Sequence, residues 1–224
     1  FVTQNQQLVW DYLFALEQEI ILTMKQIPPN SIQTIFVGGG TPTYLSAEQM
    51  KYFLNAVRQH IPNQTGDMEF TMEANPGTTD PEKLAVMRKG GVNRLSYGVQ
   101  AFDDELLRKI GRIHDSAQVF RSLQDAREAG FTNISIDLIF GLPGQTVELF
   151  KKTLDQAFQL GLQHFSAYSL KVEENTLFHV LYEKNQLILP PEEEEVAMYE
   201  LVRREMKAHG YWQYEISNFS LPGY

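Results

Sequence analysis

Short apolar runs and amphipathic stretches alternate along most of the chain. Five apolar runs predict strands, at residues 32–37, 68–75, 92–100, 133–141 and 164–170. Apolar positions at helical spacing predict helices over 7–26, 46–61, from 79 or 80 onward, 103–110, 116–129, 145–160 and 191–210. Strands that alternate with helices are typical of βαβ units with a parallel sheet. The pattern therefore predicts an α/β fold, and both a barrel and an open doubly wound sheet satisfy it.

Residues with capping chemistry mark several predicted helix boundaries. Ser46 is followed three residues later by Gln49, which is the spacing of a capping box. Pro81 follows Asp80 at a first helical position, where the missing N–H of proline is tolerated. The acidic run Glu192–Glu195 falls in the first turn of the last predicted helix, as the helix dipole favours.

The first predicted helix carries its apolar residues on a broad stripe. Leu8, Tyr12 and Leu16 recur at a spacing of four residues. The residues that widen the stripe are Trp10, Leu13, Phe14, Ile20 and Ile21. This spacing predicts a helix that ends before Pro28 and Pro29.

Composition narrows the classes of function. The 224 residues include 28 acidic and 19 basic side chains, which give a formal net charge of −9. This charge disfavours binding to nucleic acid or to an anionic membrane surface. No apolar run approaches the roughly 20 residues of a membrane-spanning helix, and the amino end does not resemble a signal peptide. These features predict a cytoplasmic protein that does not bind nucleic acid.

The chain contains no cysteine. It therefore cannot form a disulfide or supply a thiolate to a metal site. Its five histidines are scattered along the sequence without the spacing of metal ligands. No residue of the chain is predicted to bind a metal.

Three consecutive glycines, Gly38–Gly40, follow the first predicted strand and precede Thr41 and Pro42. Glycine permits positive φ and leaves the backbone open to close approach. The run could form a tight strand-to-helix turn or a ligand contact. It is not followed by Gly-Lys-Ser/Thr and does not match the dinucleotide-binding fingerprint. The sequence therefore does not predict a triphosphate as the ligand.

Polar side chains stand near the ends of several predicted strands, where ligands gather in parallel α/β folds. Glu73 could hold an ammonium group or cap a loop, and Gln100 and Asp137 suit hydroxyls such as those of a ribose. Asp137 lies within an apolar run, so burial of its carboxylate requires a partner. Arg112 could pair with a ligand carboxylate or form a surface ion pair. These side chains together suit a ligand with an ammonium group, a carboxylate and vicinal hydroxyls, and S-adenosylmethionine carries all three.

Several motifs resemble one family in combination. They are GGGTPTYL, EANPG, NRLSYGVQAF, GRIH, AGFTNISIDLIFGLPGQT and YEISNF. Together they resemble the radical SAM proteins related to oxygen-independent coproporphyrinogen III oxidase, the HemN/HemW group. GRIH and YEISNFSLPGY are more similar to its heme-chaperone branch. The resemblance extends from about Ile35 to Tyr224.

The resemblance implies a partial (β/α)6 barrel whose first strand and cluster loop lie outside this chain. Residues 1–212 would form the radical SAM core, and 213–224 would begin the C-terminal HemN/HemW-type region. The family uses a [4Fe-4S] cluster to reduce S-adenosylmethionine to a 5′-deoxyadenosyl radical.

The resemblance also assigns binding roles to residues of this chain. Gly39, Gly40 and Thr41 would meet the methionine amino group, with Glu73 beside them. Arg112 would hold the methionine carboxylate. Gln100 and Asp137 would hold the ribose hydroxyls, and Ile139 would contact the adenine.

Two family motifs are absent from the chain. The cluster-binding CxxxCxxC precedes the first residues in the family, and the HNxxYW motif of the heme-chaperone branch follows the PGY at which this sequence stops. We therefore interpret the chain as the core of a longer protein that binds a [4Fe-4S] cluster, S-adenosylmethionine and heme.

Three functions stay open. The first is a heme chaperone with a heme-recipient protein as partner, which could stand at the membrane. The second is an enzyme, a coproporphyrinogen dehydrogenase that decarboxylates a porphyrinogen. The third is an unrelated barrel that binds a phosphorylated metabolite, although no phosphate-binding glycine turn follows Leu170.

Overall fold

Helices and strands alternate in the order that the apolar pattern predicts. The computed structural model describes residues 5–28, 31–61 and 68–224. Its elements are α1 Gln6–Met24, β1 Thr34–Val37, α2 Ala47–His60, β2 Glu69–Ala74, α3 Pro81–Lys89, β3 Arg94–Gln100, α4 Asp104–Lys109, α5 Ser116–Glu128, β4 Asn133–Phe140, α6 Val147–Gln159, β5 His164–Ser169, α7 Leu177–Glu183, α8 Glu192–Ala208, β6 Trp212–Gln213 and β7 Asn218–Ser220. Each of the five predicted strands and seven predicted helices is present.

Hydrogen bonding orders the strands β1-β2-β3-β4-β5-β7-β6. β1 pairs with β2 and β4 pairs with β5 in parallel, which confirms the α/β prediction for these pairs. β7 runs antiparallel to β5, and β6 runs antiparallel to β7. The sequence pattern does not predict β6, β7 or α7, because segments of two, three and seven residues are too short for a clear period.

The chain divides into two compact units. The first unit comprises the residues up to Ser96 together with Arg121–Asn133, and the second comprises Tyr97–Phe120 and Ile134–Tyr224. β3 and α5 contribute residues to both units. These units are defined by contacts within the fold, whereas the division predicted at residue 212 separates two regions of the family. That division stays a prediction.

Each unit has its own apolar core. In the first unit Leu54 of α2, Phe70 of β2 and Leu84 of α3 are at most 1% exposed. In the second unit Phe165 of β5 and Phe219 of β7 are buried to the same degree, and α6 packs against α8. Burial of each such side chain contributes about 1.5–3 kcal/mol.

The predicted helix caps form as their chemistry requires. The Ser46 side chain accepts from the Gln49 backbone, and the Gln49 side chain accepts from the Ser46 backbone, so the capping box is complete. Asp80 accepts from the backbone N–H of Lys83, and Pro81 occupies the first position of α3. These local signals fix the starts of α2 and α3, which follow the two loops described below.

α1 buries a narrower face than its apolar stripe spans. Leu8 and Tyr12 are exposed, while the helix buries Val9 and Leu13. Packing against α2 decides the face, because Trp10 and Phe14 lie edge-on to Tyr52 of that helix. A broad apolar stripe leaves several faces available, and the partner helix selects among them.

Tyr52 also anchors α1 to α2 through a polar contact. Its hydroxyl donates a short hydrogen bond to Glu17 of α1, and His60 Nε2 lies 3.0 Å from the other oxygen of the same carboxylate. The hydrogen bond to Glu17 raises the pKa of Tyr52 to about 12, and the hydrogen bonds from Tyr52 and His60 lower the pKa of Glu17.

We expect Tyr52→Phe to lower the free energy of unfolding at pH 7 by about 1 kcal/mol, the usual net value of such a hydrogen bond. The folded pKa of Tyr52 lies above its unfolded value, so this contribution is present below about pH 10 and is lost as the pH rises through about 12. Urea denaturation at pH 7 and at a pH above about 12 measures the contribution of this hydrogen bond. Tyr12→Phe on the exposed face of α1 is the control, and equal stability of the two variants would contradict the assignment.

Candidate functional site

The glycine loop, which we define as Gly38–Thr41, follows β1, and its glycines serve different purposes. A Cβ on Gly38 would stand 2.6 Å from Phe36 Cε1 and 2.9 Å from Glu73 Cδ and Oε1. Gly39 has φ of 110°, which other residues rarely adopt. A Cβ on Gly40 would meet no atom within 4 Å, so space remains open beside that residue.

Glu73, near the end of β2, lies against this loop. The parallel register pairs Val37 with Met72, which brings the residues that follow them side by side. The backbone N–H of Gly39 donates to Glu73 Oε2 at 3.2 Å. A carboxylate held beside an open glycine backbone can accept charge-assisted hydrogen bonds from a ligand ammonium group.

Thr41, at the end of the glycine loop, is tied to the turn that follows β2. Asn75 Nδ2 donates to Thr41 Oγ1 at 2.8 Å. The sequence around Asn75 indicates only a turn, and no local signal predicts this link to Thr41. The first unit therefore brings Gly39, Thr41 and Glu73 together, with Gly40 next to them in the chain.

Gln100 ends β3 in a conformation that is uncommon for its residue type. Its φ is 70°, in the left-handed region. In the described part of the chain its buried Oε1 has no hydrogen-bond partner. A strained backbone and an unsatisfied buried acceptor at a strand end both fit a ligand donor such as a hydroxyl.

Arg112 is half-buried in the second unit, beside β3. One terminal nitrogen donates to the Gly98 carbonyl at 2.6 Å. Burial lowers the pKa of Arg112, and the negative charge of Asp137 raises it. The guanidinium stays charged at neutral pH, so it can attract a ligand carboxylate while its orientation is fixed by the strand.

Asp137 and Ile139 lie on the same face of β4, because side chains two residues apart share a face. In the parallel register they pair with Ser166 and Tyr168 of β5. Asp137 acts electrostatically on Arg112, which agrees with the expectation that its carboxylate has a partner. Ile139 is partly buried against a leucine-rich cluster formed by Ala101, Leu106, Leu107 and Leu142. Ile139 is apolar and only partly buried, so it can contact a flat ring.

His114 is buried rather than poised at a binding surface. It is 4% exposed, and its Nε2 lies 3.1 Å from the Val99 carbonyl. Burial lowers the pKa of His114, which favours the neutral ring. The residue therefore supports the end of β3.

A cavity of about 990 Å³ opens in the second unit near the ends of β4 and β5. Phe140, Tyr199 and Ile216 give it apolar walls, and two carboxylates line it at Glu192 and Glu195. The cavity therefore combines apolar walls with acidic side chains.

Groups of metal-ligating side chains and membrane-spanning helices were sought among the described residues. Across residues 5–28, 31–61 and 68–224, no three His, Cys, Asp or Glu side chains are grouped as metal ligands would be. Since the sequence has no cysteine, its residues do not fit a [4Fe-4S] cluster, which requires thiolates. Within the same ranges no helix combines the length and the apolar character that crossing a bilayer requires.

Comparison with known proteins gives a consistent result. The family described as the Radical SAM superfamily matches residues 8–157. The chain is 49% identical over 217 residues to a heme chaperone HemW of Bacillus subtilis, covering 97% of the chain and 57% of that protein. It is 41% identical over 210 residues to a heme chaperone HemW of Lactococcus lactis, covering 94% and 55%. The chain thus spans about half the length of these curated relatives.

A solved structure shows the same fold. The chain superposes on coproporphyrinogen III oxidase (HemN) from Escherichia coli, described as a radical SAM enzyme, with a TM-score of 0.87. The sequences are 31% identical, and the match covers all of this chain and 51% of the oxidase chain.

Proposed function

Because the chain belongs to the radical SAM superfamily, we propose that it binds S-adenosylmethionine and acts in a heme chaperone of the HemW type. The pairing of the glycine loop with Glu73 is the observation that supports ligand binding. The 49% identity to a heme chaperone over nearly the whole chain supports the second part.

The first unit carries groups that match the methionine ammonium of the ligand. In the first unit, Glu73 and the backbone of Gly39, Gly40 and Thr41 receive the methionine ammonium. The carboxylate neutralises its charge, and the open backbone lets it approach. A Cβ at Gly38 would press against the Glu73 carboxylate.

In the second unit, Arg112 pairs with the methionine carboxylate, because its guanidinium can bind both carboxylate oxygens. Gln100 and Asp137 accept hydrogen bonds from the ribose hydroxyls. The buried Gln100 Oε1, which has no partner among the described residues, supports this role. Ile139 contacts the adenine through its apolar side chain.

When bound to a reduced [4Fe-4S] cluster, S-adenosylmethionine supplies radical chemistry in this superfamily. The residues of this chain do not fit such a cluster. Their part is therefore to bind and orient the ligand, and we assign no chemical step to them.

A second candidate function is oxidative decarboxylation of a coproporphyrinogen. The TM-score of 0.87 to the Escherichia coli oxidase supports it, since a shared core could serve either activity. The higher identity to the two heme chaperones favours heme transfer to a recipient protein.

Two measurements separate the heme chaperone from the oxidase. We expect the complete gene product to bind heme stably in an absorbance titration, and the chain that ends at Tyr224 to bind none. We expect coproporphyrinogen III to remain unconverted in anaerobic incubations with S-adenosylmethionine and a reductant, followed by chromatography of the porphyrins. Protoporphyrinogen formed well beyond one turnover would overturn the chaperone proposal and establish the oxidase.

A further inference from the structure

Lys83, in the first turn of α3, joins the two loops that form the candidate ammonium site. Its Nζ donates to the Thr43 carbonyl at 2.7 Å and to the Thr78 carbonyl at 2.8 Å. Thr43 follows the glycine loop, and Thr78 belongs to the turn after β2. A single ammonium group therefore cross-links segments that are 35 residues apart in the chain.

Direct contacts between the two loops complete the link. Thr43 Oγ1 and Thr78 Oγ1 lie 2.6 Å apart, and Thr78 Oγ1 contacts the Asn75 carbonyl at 2.6 Å. Asn75 in turn donates to Thr41 of the glycine loop. We call Lys83, Thr43, Thr78, Asn75 and Thr41 the lysine brace.

Partial burial of the charged Lys83 ammonium costs free energy. Burial lowers the pKa of its ammonium, and the nearby Asp80 carboxylate raises it. Charge-assisted hydrogen bonds to two carbonyl oxygens offset the loss of hydration. Because Nζ is directed at backbone carbonyls, its chemistry suits holding the loops rather than contacting a ligand.

We propose that Lys83 is a positioning residue, which sets the spacing between the glycine loop and Glu73 and thereby the affinity for the methionine end of S-adenosylmethionine. This inference rests on the proposed function. The brace joins the loop that carries Gly39 and Thr41 to the turn that directly follows Glu73. Loss of the ammonium would let the two loops separate while β1 and β2 stay paired.

The test compares two ligands on the 224-residue chain. S-adenosylmethionine contains the methionine end, whereas 5′-methylthioadenosine retains the nucleoside and lacks it. We expect Lys83→Met to raise the dissociation constant for S-adenosylmethionine about tenfold, the equivalent of about 1.4 kcal/mol. The constant for 5′-methylthioadenosine should change less than about twofold, because the residues proposed to bind the nucleoside belong to the second unit and the brace belongs to the first. Ligand-observed NMR titration measures both constants.

Matched variants guard against a general loss of stability. Lys51→Met makes the same substitution at an exposed site on α2, and both ligands should bind to it as to wild type. Lys83→Gln retains a donor for one carbonyl, so its dissociation constant for S-adenosylmethionine should lie between those of Lys83→Met and wild type. Lys83→Gln replaces Lys83→Met in the test if Lys83→Met does not fold.

Amide hydrogen exchange tests the brace without any ligand. The Gly39–Thr41 segment should exchange faster in Lys83→Met than in Lys51→Met, because the loop is less restrained. Unchanged exchange, an unchanged dissociation constant for S-adenosylmethionine, or equal weakening of both ligands would overturn the role of Lys83. If the folded wild-type chain binds neither ligand, the proposed function is wrong and the inference about ligand affinity falls with it.

Discussion

Gly38→Ala is expected to weaken S-adenosylmethionine binding by about 1.5–3 kcal/mol, roughly 10- to 150-fold, the value of hydrogen bonds to a charged group. The added Cβ would stand 2.9 Å from the Glu73 carboxyl carbon and 2.6 Å from a ring atom of Phe36. Both contacts are the ends of flexible side chains, so they move at little cost to the fold. The carboxylate that is displaced is the group proposed to hold the ligand ammonium.

Calorimetric or NMR titration of the 224-residue chain measures the effect. Glu73→Gln should weaken S-adenosylmethionine to a similar extent, because it removes the negative charge and keeps the side-chain size. Glu82→Gln, on the exposed first turn of α3, is the matched control. The affinity of 5′-methylthioadenosine should stay unchanged in all three variants. Wild-type affinity in Gly38→Ala would show that Glu73 does not meet the ammonium.

Asp137→Ala should weaken S-adenosylmethionine by roughly 1–3 kcal/mol, the cost of leaving hydrogen-bonding groups unsatisfied. Here 5′-methylthioadenosine should weaken equally, because it keeps the ribose hydroxyls proposed to bind Asp137. Gly38→Ala should therefore weaken S-adenosylmethionine alone, whereas Asp137→Ala should weaken both ligands. A loss confined to S-adenosylmethionine would contradict the ribose assignment.

Stability must be measured alongside affinity for this variant. The negative charge of Asp137 acts on the half-buried Arg112 guanidinium, so its removal changes the electrostatics of the strand ends. Thermal unfolding separates a loss of fold from a loss of binding. Asp137→Asn preserves the volume, and Asp155→Ala, at an exposed ion pair on α6, is the control for binding.

The amino-acid sequence by itself determined the order of the main elements. Apolar runs and helical periods are local properties, and so are caps such as Ser46 with Gln49 and Asp80 with Pro81. Local chemistry also showed that the carboxylate of Asp137 needed a partner. The motifs indicated the radical SAM superfamily, which the family comparison confirmed.

The tertiary structure decided which residues meet. A broad apolar stripe on α1 was compatible with several buried faces, and packing on α2 selected Val9 and Leu13. The three glycines looked alike in the sequence, whereas the pairing of β1 with β2 placed the Glu73 carboxylate against Gly38. The link from Lys83 to the carbonyls of Thr43 and Thr78 has no sequence signal. Such contacts depend on strand register and helix packing, which bring together residues whose separation along the chain carries no periodic pattern.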